Sequence, residues 1–591
     1  MFRKTALFCS VFAVTLFLLQ RFEAPTLLVL ACIAVAIALL SVILKKWKFG
    51  LMLILTIALA VGWLALYQSF DAPDSRFFDP TPAPVTLEAT DFSYPANSGR
   101  GVWCSTKLIL VDGRAPERNM KVLLFQGDPK LSLRPGDRIS TTANLALLTD
   151  TEEFAEFTYY KTRWIDAQAF STKQYVCSRV STIPKRYLFR EIAQSVKQRI
   201  FRLFDSDSAP IVCAVLTGDR ENLSILQTEQ LRVAGLSHVV AVSGMHLAIL
   251  CGFFVLLLGK RRAKFVALPA MIGCVLIIGP TPSLLRAFLM QVLLLSATLF
   301  KREPDGLTSL SVALFLIVLA NPYSIADVGL QLSFAATLGI VLYARKLNSF
   351  FLKQFPIKHK TGCALVGFFV TAVSTTLCAM VFTIPILMSN FGVISVIAPL
   401  SNVLTYLAVM ILFIGSVLAV SLSYLWLGLG ALLAFPTTWA ARYFLFVTEH
   451  MARVPHACVY ANNQYLIAFL VYAYLILIAV TVSNKKMVRV RVILPTLAVA
   501  VTACICFSAL PNQVGEEDVA TSVLDVGQGL CVLTSGGDDR ILVDCGGNRA
   551  GEVAYRALMR HGNPSLNALV LTHLDQDHCN GVETLLAKVR V

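Results

Sequence analysis

Long apolar runs alternate with short polar loops over most of the chain, and this pattern predicts membrane-spanning helices. A helix needs about 20 apolar residues to cross the ~30 Å of hydrocarbon in a bilayer. The pattern predicts a polytopic α-helical membrane protein with about thirteen spans. They fall near 5–20, 25–44, 49–67, 238–258, 265–279, 284–300, 307–321, 325–343, 362–388, 395–421, 424–448, 464–483 and 491–509.

Between the third and fourth runs, the polar segment 70–185 alternates apolar and polar residues with the period of β-strands. Several short strands separated by turns such as Pro135-Gly136-Asp137 predict a small five-stranded barrel of the OB type. Its aromatic residues either stack nucleic-acid bases or fill the barrel core. They are Trp103, Phe125, Tyr159, Tyr160 and Trp164.

Residues 185–204 combine basic and apolar side chains at helical spacing, which predicts an amphipathic helix. Such a helix lies on a membrane interface, or its Lys185, Arg186 and Arg190 contact phosphates. The two roles are compatible. The predicted domains are N-terminal transmembrane helices (1–68), the OB-like domain (70–185), interfacial helices (186–230), a transmembrane bundle (231–510) and a soluble tail (519–591).

Composition supports the membrane assignment, since 56% of residues are hydrophobic and 15% are charged, against about 25% charged in soluble domains. The net charge of +15 is typical of basic cytoplasmic loops, although a nucleic-acid-binding surface is the alternative. Placing five basic loops inside the cell leaves the N-terminus inside and both 70–230 and the tail after 510 outside. These loops are 45–48, 259–264, 300–303, 345–360 and 484–492.

Most of the fifteen cysteines lie in apolar runs and are expected to be small core residues. Cys104 and Cys177 are the two in the polar segment, and they are predicted to form a disulfide if that segment is extracytoplasmic. The N-terminal run lacks a small-residue cleavage site, so we expect a membrane anchor and not a signal peptide.

Ionisable and amide side chains recur inside the apolar runs, where they are costly unless they face a cavity or the interior of a bundle. His238 and His246 are eight residues apart, so on a continuous helix they would share a face. These clusters predict a polar channel, with helix–helix hydrogen bonding as the alternative. The candidate lining residues are Asp219, Arg220, His238, Ser243, His246, Arg286, Asp327, Gln331, Ser333 and Asn402.

The tail contains the stretch LTHLDQDHCNGV at 571–582, which follows a predicted strand. His573, Asp575, Asp577 and His578 are residue types that bind Zn²⁺ or Mn²⁺. Two such ions about 3.5–4 Å apart can activate water and stabilise a leaving oxygen in phosphodiester cleavage. The stretch therefore predicts a metal site.

Four blocks of the membrane region, GDR…LRVAGLSHVVAVSGMHLAIL, PSLLRAFLM, NPYSIADVGLQLSF and PLSNVL, resemble the signature blocks of the ComEC family. Leu530 in DVGQGL resembles its proteobacterial branch. The resemblance implies an inner-membrane channel that takes up single-stranded transforming DNA. It also implies a DNA receptor and a cytoplasmic translocation ATPase as partners, and it leaves open a homo-oligomer.

The tail resembles the metallo-β-lactamase superfamily, with Asp575 at the second position of its H-x-[HD]-x-D-H motif. The resemblance implies that His573 and Asp575 bind one metal and Asp577 and His578 the other. It also implies that Asp577, Asp525 and Asp544 line the catalytic site. The superfamily's later ligands would follow residue 591, so we expect a truncated domain without nuclease activity in this chain.

A second hypothesis is a membrane-anchored metallohydrolase that acts on a nucleotide or a lipid head group. It gives no reason for polar residues within the spans, such as Arg286 or His246. A small-solute transporter with an accessory domain is a third hypothesis, but the sequence shows no obvious inverted repeat.

Overall fold

The computed structural model describes most of the chain in two compact units, which are treated separately below. One unit comprises Met1–Arg202 and Ser243–Phe334, and the other comprises Leu203–Val242 and Ala335–Val591. The described residues are 4–21, 47–71, 77–78, 81–96, 101–148, 156–299, 303, 305–354, 360–454, 457–460, 519–536, 539–547, 549–560, 565–589 and 591.

The helices, in chain order, are α1 (Lys4–Arg21), α2 (Trp47–Asp71), α3 (Glu156–Lys161), α4 (Leu188–Leu203), α5 (Ala209–Thr217), α6 (Ile225–Val233), α7 (Gly244–Ile278), α8 (Pro282–Leu299), α9 (Gly306–Ala320), α10 (Val328–Gln354), α11 (Lys360–Phe391), α12 (Ala398–Ser423), α13 (Leu427–Ala452), α14 (Ala550–Arg560), α15 (Gln576–Cys579) and α16 (Val582–Leu586). The strands are β1 (Ala83–Ala89), β2 (Tyr94–Pro95), β3 (Val102–Val111), β4 (Lys121–Gln126), β5 (Arg138–Leu147), β6 (Ala167–Ser178), β7 (Val393–Ser395), β8 (Cys458–Tyr460), β9 (Val519–Val523), β10 (Val532–Gly536), β11 (Asp539–Val543) and β12 (Ala568–Val570).

Four helical segments in the described part of the chain are long and apolar enough to cross a membrane: Gly50–Asp71, Val328–Gln354, Val366–Phe391 and Ala398–Ser423. Shorter apolar helices cover Lys4–Gln20, Gly244–Gly259, Pro282–Ala297 and Gly306–Ala320. The runs near 25–44, 464–483 and 491–509 lie outside the described residues. The count of thirteen spans therefore stays a prediction.

The start of α7 corrects one detail of the sequence analysis. The predicted span began at residue 238, but the helix begins at Gly244, where the Ser243 N–H donates to His246 Nδ1 at 3.1 Å. His238 precedes the helix in a turn, so the prediction that it shares a helical face with His246 is wrong. A serine in extended backbone is a favoured helix start, and it outweighed the apolar run before it.

In the unit that contains the N-terminus, five strands close into a small barrel. β1 pairs with β3 and with β5, β5 pairs with β6, and β6 runs parallel to β4, which pairs back to β3. The short β2 extends the sheet beside β3. The interior holds one cluster of buried side chains, among them Leu87, Leu108, Leu124 and Ile139. The strand alternation predicted this barrel.

The predicted disulfide between Cys104 and Cys177 is wrong, because both are free cysteines. The Cys104 thiol is buried and donates to the Asp91 carbonyl oxygen at 3.4 Å. Register explains the separation. Cys104 of β3 is paired with Leu124 of β4, and Leu124 is paired with Ala169 of β6. Cys177 lies eight residues beyond Ala169 on β6, too far along the strand to face Cys104.

A cluster of charges joins the barrel to the end of α2. Lys161 is 5% exposed, and its Nζ lies 2.7 Å from Asp71 Oδ2 and 3.0 Å from Asp166 Oδ1. Arg118 adds Nη1 at 3.3 Å from Asp71 Oδ1. Two basic and two acidic groups balance, which makes their burial tolerable.

In the unit that contains the tail, α12 and α13 form an antiparallel pair, against which α5, α6 and α11 pack. Gly415 allows the close approach, because a Cβ there would lie 2.2 Å from Thr437 Oγ1. The short strands β7 and β8 pair at the end of α11. The tail sheet has the order β12-β11-β10-β9, antiparallel except for the β11–β12 pair.

Candidate functional site

The predicted metal ligands come together after β12, with His573 and Asp575 in the loop and Asp577 and His578 in the short helix α15. His573, Asp577 and His578 each offer a ligand atom, and these three atoms lie within 4.8 Å of one another. His578 Nε2 is 3.7 Å from Asp577 Oδ2, and the two imidazole rings have centroids 3.8 Å apart. Asp575 lies beside them, with Oδ2 3.6 Å from His573 Nε2.

Asp544 orients His578 from beneath. Its Oδ2 lies 2.8 Å from His578 Nδ1 and accepts from Thr572 Oγ1 at 2.7 Å, while Oδ1 accepts from the Thr572 N–H at 2.8 Å. Burial alone would raise the pKa of Asp544, but the hydrogen bonds from His578 and Thr572 outweigh burial and lower that pKa. A carboxylate on Nδ1 leaves Nε2 free to face a metal. Asp544 is therefore a positioning residue.

Glycine-rich loops let the backbone of the site pack without side chains. A Cβ on Gly546 would lie 2.0 Å from the Asp577 carbonyl carbon, and one on Gly529 would lie 2.2 Å from the Gly546 oxygen. The Leu530 N–H donates to the Asp577 carbonyl at 3.0 Å. This packing explains why DVGQG and LVDCGG accompany the motif.

Asp525 is exposed in the first of these loops, where its Oδ1 accepts from the Gly527 N–H at 3.2 Å. The described residues therefore bring together two imidazoles and one carboxylate, with Asp575 adjacent. This donor set fits one Zn²⁺ or Mn²⁺ ion. A second ion remains a prediction.

In the N-terminal unit, His246 lies in the first turn of α7, and Arg286 of α8 lies against that turn. Both are buried, with His246 0% exposed and Arg286 5% exposed. A Cβ on Gly244 would lie 2.9 Å from Arg286 Nη2, so the guanidinium covers the first residue of α7. The half-buried Ser243 and the buried His246 and Arg286 thus form one polar group, as a lined cavity or a packed bundle would have.

Three further candidates in this unit make contacts typical of helix caps and helix pairs. Asp327 Oδ1 accepts from the Leu330 N–H at 2.7 Å at the start of α10. Gln331 Nε2 donates to the Ile325 carbonyl at 3.0 Å, and Ser333 Oγ lies 2.9 Å from Ser283 Oγ on α8. The Ser333–Ser283 contact favours helix–helix hydrogen bonding, whereas the Asp327 and Gln331 contacts stabilise the turn at the start of α10.

The other four candidates belong to the unit that contains the tail. Asp219 follows α5 and accepts from the Glu221 N–H at 3.0 Å. Arg220 Nε donates to the Val240 carbonyl at 3.3 Å, and His238 Nδ1 lies 3.2 Å from the Gly235 carbonyl. Asn402 is half-buried on α12. The first three stabilise the turns around α6.

On the barrel, Trp103 and Phe125 lie outside the core. Their strand neighbours Cys104 and Leu124 point inward, so the alternative that the aromatic residues fill the core is wrong for these two. Trp103 pairs with Phe125 across strands, and Phe125 pairs with Phe170. Ring centroids are 5.1 Å apart for Trp103–Phe125 and 6.4 Å for Phe125–Phe170. Tyr94 pairs with Trp103, and we call these four residues the aromatic row.

The other predicted DNA contacts are placed less favourably. Arg186 forms an ion pair with the buried Glu88, and Arg190 Nη1 lies 3.3 Å from Asp91 Oδ2, so both are engaged with the barrel. Lys185 is exposed. Tyr160 packs edge-on against Tyr159, with centroids 5.1 Å apart.

Sequence reasoning missed Phe170 and Thr572. Phe170 could have been found, because it occupies an outward position in the alternating strand AQAFST. Thr572 carries no signal beyond its place next to His573.

Two family models match the chain. The Competence protein model covers residues 215–486, and the Metallo-beta-lactamase superfamily model covers residues 524–591. The chain thus contains a competence membrane domain, followed by a segment that matches the metallo-β-lactamase superfamily.

Curated relatives agree with this class. The chain is 26% identical over 417 residues to ComE operon protein 3 of Bacillus subtilis (strain 168), covering 66% of this chain and 51% of that protein. It is 25% identical over 402 residues to Competence protein ComA of Neisseria gonorrhoeae, covering 64% and 52%. The chain spans about half the length of these relatives. No solved structure matches it significantly.

The two domain matches and both competence relatives confirm the resemblance of the membrane blocks to the ComEC family.

Proposed function

We propose that this protein is a channel of the bacterial inner membrane through which single-stranded transforming DNA enters the cell. The main support is the competence match over 215–486. In the N-terminal unit, the block SGMH places the half-buried Ser243 and the buried His246 beside the buried Arg286. A buried cation beside a helix start is what an anionic strand would meet in a bundle. Ser243, His246 and Arg286 are the proposed lining residues in this unit, and the other seven candidates remain predictions.

The barrel receives the strand as an OB-fold would. Its strand order, with the third and fifth barrel strands parallel, supports this assignment. The aromatic row offers ring faces, Phe170 being 43% exposed, on which bases stack at about 1–3 kcal/mol each. Trp103 is thus retained as a DNA contact, with Lys185 at its margin and Tyr160, Arg186 and Arg190 in supporting positions.

In a full-length relative, the corresponding tail domain would cut the non-transported strand, and we expect no nuclease activity from residues 519–591 alone. His573, Asp577 and His578 would hold a divalent metal, with Asp575 as a further ligand and two ions in the whole domain. Such a metal supplies an activated water and charge stabilisation. Asp544 holds the His578 proton on Nδ1, and Asp525 shapes the loop at the rim of the site.

Topology follows from the basic loops, which keep the N-terminus inside and both the OB-like domain and the tail outside. The domain boundaries are those predicted from the sequence. A DNA receptor would act on the outer side and an ATPase on the inner side. Alkaline-phosphatase fusions after residue 70 and after residue 510 should both be active, and opposite results would refute this arrangement.

The channel is tested by Arg286→Met and His246→Phe in cells, with the amount of protein in the membrane verified. We expect DNA that becomes resistant to external nuclease to fall at least tenfold. Gly244→Ala, which forces the Arg286 side chain to move, should also reduce uptake. Its matched control is Gly252→Ala in the same helix, where a Cβ meets nothing within 4 Å. Unchanged uptake in both Arg286→Met and His246→Phe would favour the anchored metallohydrolase.

A further inference from the structure

The tail does not build its hydrophobic core alone. The buried cluster around Leu533, Leu542 and Leu558 also contains Val393 of β7, with Cys458 of β8 packed against it. Val393 precedes Val526, the next cluster residue along the chain, by 133 positions, and Cys458 precedes it by 68; both lie in the region that the competence model covers. The membrane bundle therefore contributes side chains to the tail domain.

A polar clamp accompanies this apolar contact. Arg232 of α6 donates from Nη2 to the Tyr555 hydroxyl at 2.6 Å and to Glu229 Oε1 at 2.6 Å. The guanidinium carbon lies 5.2 Å from the centroid of the Tyr555 ring, and Lys588 Nζ lies 5.4 Å from it. Tyr555 is 5% exposed and Glu229 is 6% exposed. Charge-assisted hydrogen bonds of this kind are among the stronger ones in proteins.

The hydroxyl of Tyr555 stays protonated in this setting. Burial raises its pKa to about 12, although Arg232 acts in the opposite direction. A neutral phenol between Arg232 and Lys588 accepts the guanidinium hydrogen bond without adding a buried charge. The clamp therefore has one carboxylate, Glu229, facing Arg232.

Helix α6 is itself fixed to the bundle. It packs against α13 and β7. The turn after it places Gly235 at φ 73°, where a Cβ would lie 2.5 Å from Ala398 Cβ and 2.8 Å from Ser395 Oγ. The motif AGLSH thus seats α6 on the first residue of α12. A shift of α6 would require α12 to move.

The dock has a definite side. α11 ends at Phe391, α12 begins at Ala398 and α13 ends at Ala452, so these helix ends meet at β7 and β8. The basic segment 345–360, which spans the end of α10 and the first residue of α11, lies at the opposite end of α11. If that loop is cytoplasmic, the dock faces outward.

We propose that α6 and the β7–β8 sheet form a dock that holds the metal-motif domain on the extracytoplasmic end of the bundle, with Arg232 as the positioning residue that grips Tyr555. The dock itself does not depend on DNA uptake, but its role in keeping strand cutting beside the channel rests on the proposed function. In this proposal the AGLSH motif positions α6 on the bundle and does not line a channel.

Hydrogen exchange of the full chain in lipid nanodiscs tests the dock. Arg232→Met should speed exchange of the α14 amides about ten- to a hundredfold, the effect of losing charge-assisted hydrogen bonds at a buried site. Barrel amides should not change. Arg453→Met is the matched control, because Arg453 pairs with Glu449 one turn away and its side chain is 70% exposed. Equal α14 exchange in Arg232→Met and Arg453→Met would overturn the proposal.

Tyr555→Phe keeps the ring and removes only the hydroxyl. It therefore tests the Arg232–Tyr555 contact even if the Arg232→Met variant fails to accumulate. It should speed α14 exchange several-fold, and no change would overturn the clamp. If Arg232 acts through Tyr555, the double variant should exchange no faster than Arg232→Met alone. Faster α14 exchange with undiminished DNA uptake would keep the dock and remove its link to the proposed function.

Discussion

The barrel and the tail domain are both small β-structures, but they complete their cores differently. The barrel closes on itself, and its buried cluster contains only residues between 85 and 169. The tail sheet is open in the described residues, with every residue of β9 exposed, and its core takes Val393 from the bundle. A closed barrel has no sheet edges to cover, whereas an open sheet must pack its apolar face against another element.

This difference indicates which of the two domains depends on the membrane region for its hydrophobic core. The barrel touches α2 through charges at its margin, while the tail shares its interior with β7 and β8. We therefore expect changes in the bundle to reach the tail and to spare the barrel.

The largest expected effect is at the barrel's charged margin. Lys161→Met removes the buried cation and leaves the half-buried Asp71 and Asp166 facing Arg118, which should cost up to about 3–5 kcal/mol locally. Hydrogen exchange over 161–170 would show this as a local loss of protection. Lys121→Met is the control, since Lys121 is exposed and contributes its backbone N–H to Asp166. Equal exchange in the two variants would mean that the charge cluster around Lys161 contributes nothing to local stability.

Leu124→Ala tests whether the barrel is self-contained. Leu124 is 0% exposed, so the cavity should cost about 2–5 kcal/mol. Exchange should rise throughout β3, β4 and β6, while α14 and β10–β12 keep their protection. A loss of protection in the tail as well would break the distinction between the two regions.

Asp544→Asn tests the metal site in the tail. Loss of the charge behind His578 should weaken Zn²⁺ or Mn²⁺ binding about 10- to 100-fold, as for other residues that orient a ligand. Calorimetric titration of the purified chain measures it. Asp525→Asn should change affinity less, because Asp525 is exposed and touches Gly527. The reverse order would place Asp525 on the metal.

Val393→Ala has the smallest effect, and it sharpens the comparison most. Two buried methylene equivalents are worth about 1.6 kcal/mol, so α14 and β10 should exchange roughly tenfold faster although the change lies in the bundle. Ile394→Ala next to it is the matched control for local damage. The prediction fails if the bundle amides respond and the tail amides do not.

Much of this structure was readable from local sequence. The period-two alternation predicted the barrel strands. The spacing His573-x-Asp575-x-Asp577-His578 predicted a cluster of metal ligands directly after a strand. Local reasoning failed where a distant partner decides. Arg186 and Arg190 are drawn to Glu88 and Asp91, and Arg232 meets a tyrosine 323 positions later. The start of α7 was misplaced because a capping serine interrupts an apolar run.

The most direct test of the account supplies competent cells with labelled DNA that is already single-stranded, so that no strand needs to be cut. The chain with His573→Ala and Asp577→Ala should then take up as much nuclease-resistant label as the wild type, whereas Arg286→Met should take up at least tenfold less. If the motif variant lost uptake and the Arg286 variant kept it, the membrane bundle would be an anchor and not a channel.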